Sequence, residues 1–99
     1  MDITEIIVEN ECVLVPHGQI NALTSEELEA KITECAKACE KITLDMSEVD
    51  YVSSAGIRVV IKVHRAIGGE NFHLKNVSRN VMELFEMTGF AKMLNIEQA

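Results

Sequence analysis

Aromatic residues and proline are scarce in this chain of 99 residues, which has no Trp, one Tyr, three Phe and one Pro. Hydrophobic residues still make up 47% of the sequence, so the core of the folded protein has to be mostly aliphatic. The length suits one domain covering residues 1–99. There is no run of about 20 apolar residues, which a helix would need to span a bilayer.

Basic residues are also few. Nine Lys and Arg face 16 Asp and Glu, which gives a net charge of -7. Nucleic acids and anionic membranes bind basic surfaces, so this charge argues against both as partners. The first residues, Met1 to Glu5, are acidic and do not resemble a signal peptide. We therefore expect a cytoplasmic protein.

Cysteine occurs at only three positions, Cys12, Cys35 and Cys39. An odd number without a secretion signal argues against a disulfide framework. Cys35 and Cys39 continue a helical stripe from Leu28 and Ile32 in steps of four, three and four, so we expect both to be buried. No nearby His or carboxylate pattern completes a four-ligand site, and neither a metal nor a cofactor is expected.

Hydrophobic periodicity and turn residues predict the element order β-β-α-β-α-β-α-(β). Strands are predicted at 3–8, 12–16, 41–46 and 71–77, with a last one near 93–96, and helices from Thr24 or Ser25 to about Cys39, from Ser54 to Ile67 and from Arg79 to Met87. Residues 20–23 are predicted to form a loop. A hairpin followed by strand–helix–strand units indicates an α/β fold with a mixed sheet and helices packed against it.

Two adjacent serines, Ser53 and Ser54, lie on the connection into the second helix. Ser54 stands where the helix should begin, so its hydroxyl should be exposed beside free backbone N–H groups that favour an anion. A serine here can be a helix cap, a nucleophile or a phosphate acceptor. A nucleophile needs a base, and only His17, in the loop after the second strand, is placed to reach the turn. Catalysis is therefore disfavoured, and composition does not decide between cap and acceptor.

The residues around this turn resemble the anti-sigma factor antagonists of the STAS-domain family. The family motif runs Asp-hydrophobic-Ser and then, after hydrophobic and aromatic residues, Asp-Ser-Ser/Thr/Ala-Gly-Leu-Gly/Arg. This chain has Asp45-Met46-Ser47 and Ser53-Ser54-Ala55-Gly56-Ile57-Arg58. Gly18 to Ala22 is similar to the family's loop before the first helix, and Val81 to Phe90 to its late helix. The resemblance covers nearly the whole chain.

The resemblance implies a single STAS domain that is not an enzyme but a monomeric, phosphorylatable partner-switching protein. In this interpretation it binds an anti-sigma serine/threonine kinase while Ser54 is unphosphorylated and thereby frees a sigma factor or other client. A metal-dependent serine/threonine phosphatase restores the free form. Ser53 and Asn21 stand where the family often has Asp, which leaves Ser53 as a minor acceptor. Two alternatives stay open, a STAS scaffold subunit of a larger signalling assembly and an accessory subunit docking on an ATPase.

Helical spacing from Ser54 places Ile57, Arg58 and Ile61 on the same face. We therefore hypothesise that the two isoleucines form the exposed apolar centre of a docking surface, although core positions fit this apolar helix equally well. The partner-binding residues expected on this basis are Asn21, Ser53, Ser54, Ala55, Gly56, Ile57, Arg58 and Ile61.

Overall fold

A computed structural model describes residues 1–99 as six strands and three α-helices. The strands are β1 (Asp2–Val8), β2 (Glu11–Ile20), β3 (Lys41–Asp45), β4 (Val49–Val52), β5 (Phe72–Val77) and β6 (Ile96–Gln98). The helices are α1 (Ala22–Ala38), α2 (Ser54–Ile67) and α3 (Arg79–Thr88), with a short 3-10 helix at Ala91–Met93. The predicted α/β order is confirmed, with β4 as an additional strand.

The sheet is mixed, as predicted. Its strands lie in the order β1-β2-β3-β5-β6, and only β1 is antiparallel to its neighbour. The long β2 pairs with two parallel strands in succession, with β3 along 11–14 and with β4 along 18–20. The register shifts between Gly18 and Gln19, where Gly18 takes a φ of 103°. This irregularity lets β2 change partners and carries its end to β4.

The structure corrects two predicted boundaries at this point. The second strand does not end near Pro16 but continues to Ile20, and His17 therefore lies in β2 and not in a loop. The four residues of β4 were predicted as part of the connection because Asp50 and Tyr51 interrupt the apolar pattern. Val49 and Val52 are nevertheless buried, and β4 pairs with the end of β2.

The first helix begins at Ala22, earlier than predicted, because Asn21 is its N-cap. The Asn21 side chain accepts hydrogen bonds from the N–H groups of Leu23 and Thr24, each at 3.0 Å. In return, the Asn21 N–H donates to Thr24 Oγ1 at 2.8 Å. Thr24 is thus the reciprocal partner in a capping box and not the cap itself. The predicted loop over 20–23 does not exist.

The core is mostly aliphatic, as composition predicts. It contains Phe72 and Phe85 as its two aromatic residues, and all three cysteines are buried in it. Helix α1 packs on β2 and β3 and also against α2.

The C-terminal strand begins at Ile96, after the 3-10 helix that takes up part of the segment predicted as strand. None of the helices is long and apolar enough to cross a membrane.

Candidate functional site

The ends of β2 and β4 place two helix starts side by side. Ile20 and Val52 are the last residues of these strands and are paired in the parallel ladder. The next residue in each segment is an N-cap, Asn21 for α1 and Ser53 for α2. Both helices therefore begin at the same edge of the sheet, and the positive ends of two helix dipoles lie there together.

Ser53 fixes the geometry of this edge, because both its backbone N–H and its side-chain oxygen are engaged in hydrogen bonds within the chain. Its backbone N–H donates to the carbonyl oxygen of Ile20 at 2.8 Å. Its side-chain oxygen accepts the N–H of Gly56 at 3.2 Å. The side chain is half-buried, so the capping role that a serine here can have belongs to Ser53.

Ser54 is the first residue of α2 and is exposed, as predicted. Its hydroxyl makes no hydrogen bond within the chain, and no histidine contacts it. The candidate base, His17, instead has its Nε2 3.0 Å from Thr4 Oγ1. The arrangement that a serine nucleophile requires is not assembled, whereas an exposed hydroxyl at a helix start is accessible to another protein.

Gly56 lies where α2 approaches the two strand ends most closely. A Cβ at this position would meet Ile20 Cγ2 and Val52 Cγ1 at 2.8 Å and the Ile20 carbonyl oxygen at 3.0 Å. Only glycine leaves room for the first turn of α2 against this backbone. Gly56 is buried, so it is not available to contact a partner, and its role is to let α2 pack against the strand ends.

The hypothesis that Ile57 and Ile61 form an exposed apolar centre is wrong. Their side chains are 5% and 6% exposed and belong to the core. The physical reason is that α2 is covered on more than one side, by the sheet and by α1. Arg58 is exposed on the same helix, and Ala55 is half-buried.

Two exposed apolar side chains that sequence reasoning did not select lie on the segments next to the two helix caps. Leu23, in the first turn of α1, is 70% exposed, and Tyr51, two residues before Ser53, is 44% exposed. Leu23 was missed because it was assigned to a loop, and Tyr51 because β4 was not recognised. An exposed leucine two residues after a helix cap is a signal that a correct helix start would have revealed.

The exposed side of α2 is cationic although the whole chain is acidic. Helix α2 contains Arg58, Lys62 and Arg65 and no Asp or Glu. These three side chains border a shallow hollow together with Ile61 and Phe90. Lys62 also contacts Glu29 of α1, with Nζ and Oε2 2.8 Å apart. The cationic side begins one turn after Ser54.

The STAS domain model matches residues 3–99. This chain belongs to the STAS-domain family. BtrV of Bordetella bronchiseptica, a proposed anti-sigma factor antagonist, is 31% identical over 97% of this chain and 85% of its own length. The anti-sigma-B factor antagonist of Bacillus subtilis is 23% identical over 89% and 83% of the two chains.

Solved structures have the same fold as this STAS domain. An anti-sigma factor antagonist from Mycobacterium paratuberculosis superposes with a TM-score of 0.86 at 19% identity, covering 99% of this chain and 86% of its own. SpoIIAA in its unphosphorylated form gives 0.80 at 19% identity, covering 99% and 88%. The anti-sigma factor antagonists of the family are regulatory proteins and not enzymes.

The first half of the STAS motif has a structural role here. Asp45 Oδ1 accepts the backbone N–H of Ser47 at 3.0 Å and the side-chain amide of Asn76 at 3.1 Å. These bonds tie the end of β3 to the end of β5 and shape the turn that leads into β4. Asp45 therefore helps to hold in place the backbone that leads to Ser53 and Ser54.

Proposed function

We propose that this STAS protein is an anti-sigma factor antagonist that changes partners according to the phosphorylation of Ser54. Unphosphorylated, it binds an anti-sigma serine/threonine kinase and so frees a sigma factor or another client of that kinase. The named relatives support the antagonist role. The observation that carries the proposal is that the Ser54 hydroxyl is exposed and unbonded at a helix start, whereas its neighbour Ser53 is used as the cap.

Ser54 is a better acceptor than Ser53 for a physical reason. A kinase has to bring the hydroxyl into line with a nucleotide phosphate, so the hydroxyl must be able to leave its surroundings. Phosphorylating Ser53 would break its bond to the Gly56 N–H and would force a half-buried oxygen outward. Phosphorylating Ser54 breaks no bond within the chain. A metal-dependent phosphatase would have the same free access to the phosphate.

The docking surface that we propose consists of the exposed residues around the two helix starts, Asn21, Leu23, Ser54 and Arg58. Leu23 supplies the apolar contact that Ile57 and Ile61 cannot supply from the core. Arg58 adds a cation on the exposed side of α2. Ser53 and Gly56 contribute by holding the backbone of this turn in place, and Ala55 lies half-buried between Ser54 and Gly56.

The phosphate is expected to switch off binding without unfolding the domain. It adds a charge of about -1.5 to -2 at pH 7. At a helix N-terminus such a charge is stabilised by roughly 0.3–2 kcal/mol, so the fold tolerates it. In a docked interface the same charge loses its water without gaining a counter-charge, which costs several kcal/mol. Because every about 1.4 kcal/mol lowers the affinity tenfold, this cost is enough to prevent binding.

The test compares four immobilised proteins, the wild type and the variants Ser54→Ala, Ser54→Asp and Ser47→Asp. Ser47 is exposed in the turn before β4, so Ser47→Asp controls for the added charge. Lysate of the source cells with ADP is passed over each. We expect an ATP-binding kinase to be retained by the wild type, Ser54→Ala and Ser47→Asp, and to be lost from Ser54→Asp.

The retained kinase is then purified and incubated with ATP and each protein. Phosphate incorporation should be mapped by mass spectrometry to Ser54 and be absent from Ser54→Ala. Equal retention on all four proteins, with no incorporation, would contradict the switch. In that case a particle of very large mass in gel filtration would favour the scaffold subunit, and co-purification with an ATPase the accessory subunit.

A further inference from the structure

Two buried thiols and one carboxylate converge on the side of the molecule formed by β1, β2 and α1. The atoms that could bind a metal ion are one carboxylate oxygen of Glu5, Sγ of Cys12 and Sγ of Cys35, and all three lie within 4.8 Å of one another. The Cys35 thiol donates a hydrogen bond to Glu5 Oε1 at 2.9 Å. The three residues come from three different elements, so the cluster is made by the tertiary fold.

Strand register explains why the cluster forms. Glu5 is paired with Leu14, and Ile7 with Cys12, in the antiparallel β1–β2 ladder. Because side chains alternate along a strand, Glu5 and Cys12 point to the same face of the hairpin. Cys35 approaches that face from α1. The sequence did not reveal this cluster because Glu5 lies 30 residues from Cys35.

We propose that Glu5, Cys12 and Cys35 bind a thiophilic divalent cation of the Zn²⁺ type. Two thiolates and a carboxylate are ligands that such an ion accepts. A site with three protein ligands leaves a fourth position for water, and Glu5 lies on the exposed side, where water can enter. These three residues belong neither to the STAS motif nor to the docking surface proposed around Ser54.

The charges and protons balance when this cluster binds a divalent cation. Burial raises the pKa of both Cys12 and Cys35, so each thiol carries its proton when no cation is bound. Coordination replaces these two protons, which leave to solvent, and forms two metal–sulfur bonds and one metal–oxygen bond. The three anionic ligands and the cation together carry one negative charge. Lys31 Nζ, 3.4 Å from Glu5 Oε1, balances that charge.

Binding would cross-link three elements of the fold. Strand β1 is the edge strand of the sheet and is hydrogen-bonded to β2 alone. Its outer part is poorly covered, with Ile6, Ile7 and Val8 between 49% and 62% exposed. An ion held by residues of β1, β2 and α1 would tie this strand to the body of the domain. Zn²⁺ should therefore raise the melting temperature, because the assembled site of the folded state binds it more tightly than the unfolded chain does.

The experiment titrates the reduced, full-length protein with Co²⁺ and then with Zn²⁺. We expect one Co²⁺ per chain, with thiolate-to-cobalt charge-transfer absorption and the intense visible bands of a tetrahedral site, both lost when Zn²⁺ displaces Co²⁺. Cys12→Ala and Cys35→Ala should abolish the charge-transfer band. Glu5→Gln should weaken binding by at least about tenfold.

The matched control is Cys39→Ala, which removes a third buried cysteine that lies outside the cluster. It should leave the Co²⁺ spectrum and affinity unchanged. Glu5 is exposed, so Glu5→Gln keeps the fold, as circular dichroism should verify, and it provides an outcome even if a cysteine variant fails to fold. The proposal is overturned if the wild type gives no charge-transfer band, if Cys39→Ala loses binding, or if Glu5→Gln binds as tightly as the wild type.

Discussion

The carbonyl oxygen of Ile20 accepts the backbone N–H of Ser53, with 2.8 Å between the two atoms. Ile20 ends β2 and Ser53 caps α2, so this bond joins the N-cap of the second helix to the residue just before the N-cap of the first. Asn21 and Ser54, on either side of this bond, are both exposed. The two helix starts therefore form one rigid edge and not two independent loops.

Gly56→Ala tests how closely that edge is packed. The added Cβ would lie 3.0 Å from the same Ile20 oxygen and 2.8 Å from two side-chain methyl groups. Overpacking of this kind costs about 1–3 kcal/mol. This loss should appear in urea unfolding although alanine is the better helix former by roughly 1 kcal/mol.

Gly69→Ala is the control, because its Cβ would meet only the ring of His64, at 3.1 Å, which is a side chain that can rotate. It should change the free energy of unfolding by no more than about 0.5 kcal/mol. If Gly56→Ala were equally neutral, the close approach of α2 to the strand ends would not be a constraint.

Ser53→Ala should lower stability but not phosphorylation, and Ser54→Ala should abolish phosphorylation but not lower stability. Ser53→Ala removes the N-cap of α2 and should cost about 1 kcal/mol of unfolding free energy, because the Gly56 N–H loses its partner. Ser54→Ala should be neutral within about 0.5 kcal/mol, because the exposed hydroxyl has no bond to lose. Chemical denaturation measures both.

With the cognate kinase, Ser53→Ala should still accept phosphate and Ser54→Ala should not. Phosphate found on Ser53 in the Ser54→Ala protein would identify a second acceptor. A larger loss of stability from Ser54→Ala than from Ser53→Ala would mean that the roles of the two serines are reversed.

The order of elements was predictable because apolar periodicity is strong in α2 and in β3. Helix α2 has the predicted bounds Ser54–Ile67, and its end at Gly68 agrees with a φ of 101° at that glycine. The third helix begins at Arg79, as predicted, and the residue before it, Ser78, is its N-cap. In these places local sequence and tertiary structure favour the same conformation.

The docking surface was predicted less well, because the exposure of a residue depends on what covers it. Ile57 and Ile61 have the spacing of an exposed stripe beside Ser54, but both are buried in the core, and α2 contacts both α1 and β4. Leu23 follows the cap Asn21, yet a capping box headed by Asn was not recognised, so the leucine was placed in a loop. Burial between two helices is a tertiary property that periodicity in one helix cannot specify.

Leu23→Ala and Ile57→Ala should separate docking from folding. Ile57 is in the core, so its truncation should cost about 2–5 kcal/mol of unfolding free energy. Leu23 is 70% exposed, so its truncation should leave stability within about 0.5 kcal/mol. Calorimetric titration with the kinase should nevertheless give more than about fivefold weaker binding for Leu23→Ala, as for a contact worth about 1 kcal/mol. Unchanged affinity would remove Leu23 from the docking surface.

Asp45 should make stability depend on pH in the acid range. Its partial burial raises the pKa of the carboxyl, but hydrogen bonds from Asn76 and Ser47 outweigh burial and hold the pKa below its usual value of 3.8. A carboxyl whose pKa is lower in the folded state stabilises the protein above its unfolded pKa. That contribution is lost as the pH falls through the folded pKa.

Asp45→Asn should therefore be less stable than the wild type near neutral pH, and the difference should shrink as the pH falls below about 4. Urea unfolding at a series of pH values measures this difference. Asp50→Asn, at an exposed carboxylate of β4 that accepts no hydrogen bond, is the control and should change the free energy of unfolding by no more than about 0.5 kcal/mol. A difference for Asp45→Asn that grows on acidification would show that the sign is wrong.

Asn21→Asp should stabilise the protein, whereas Asn21→Ala should destabilise it. Aspartate keeps an oxygen that can accept from the Leu23 and Thr24 N–H groups and adds a negative charge at the start of α1. A charge there is worth about 0.3–1 kcal/mol at low salt. Alanine removes the acceptor and should cost about 1 kcal/mol.

Salt separates the two contributions. At about 1 M salt the screening length falls to about 3 Å, so the gain from aspartate should largely disappear. The loss from alanine should persist, because a missing hydrogen bond is not screened. Urea unfolding of the three proteins at low and high salt measures both effects. If the gain from aspartate were the same at both salt concentrations, it would not come from the helix dipole, and if alanine cost nothing, Asn21 would not be acting as the cap that the geometry assigns to it.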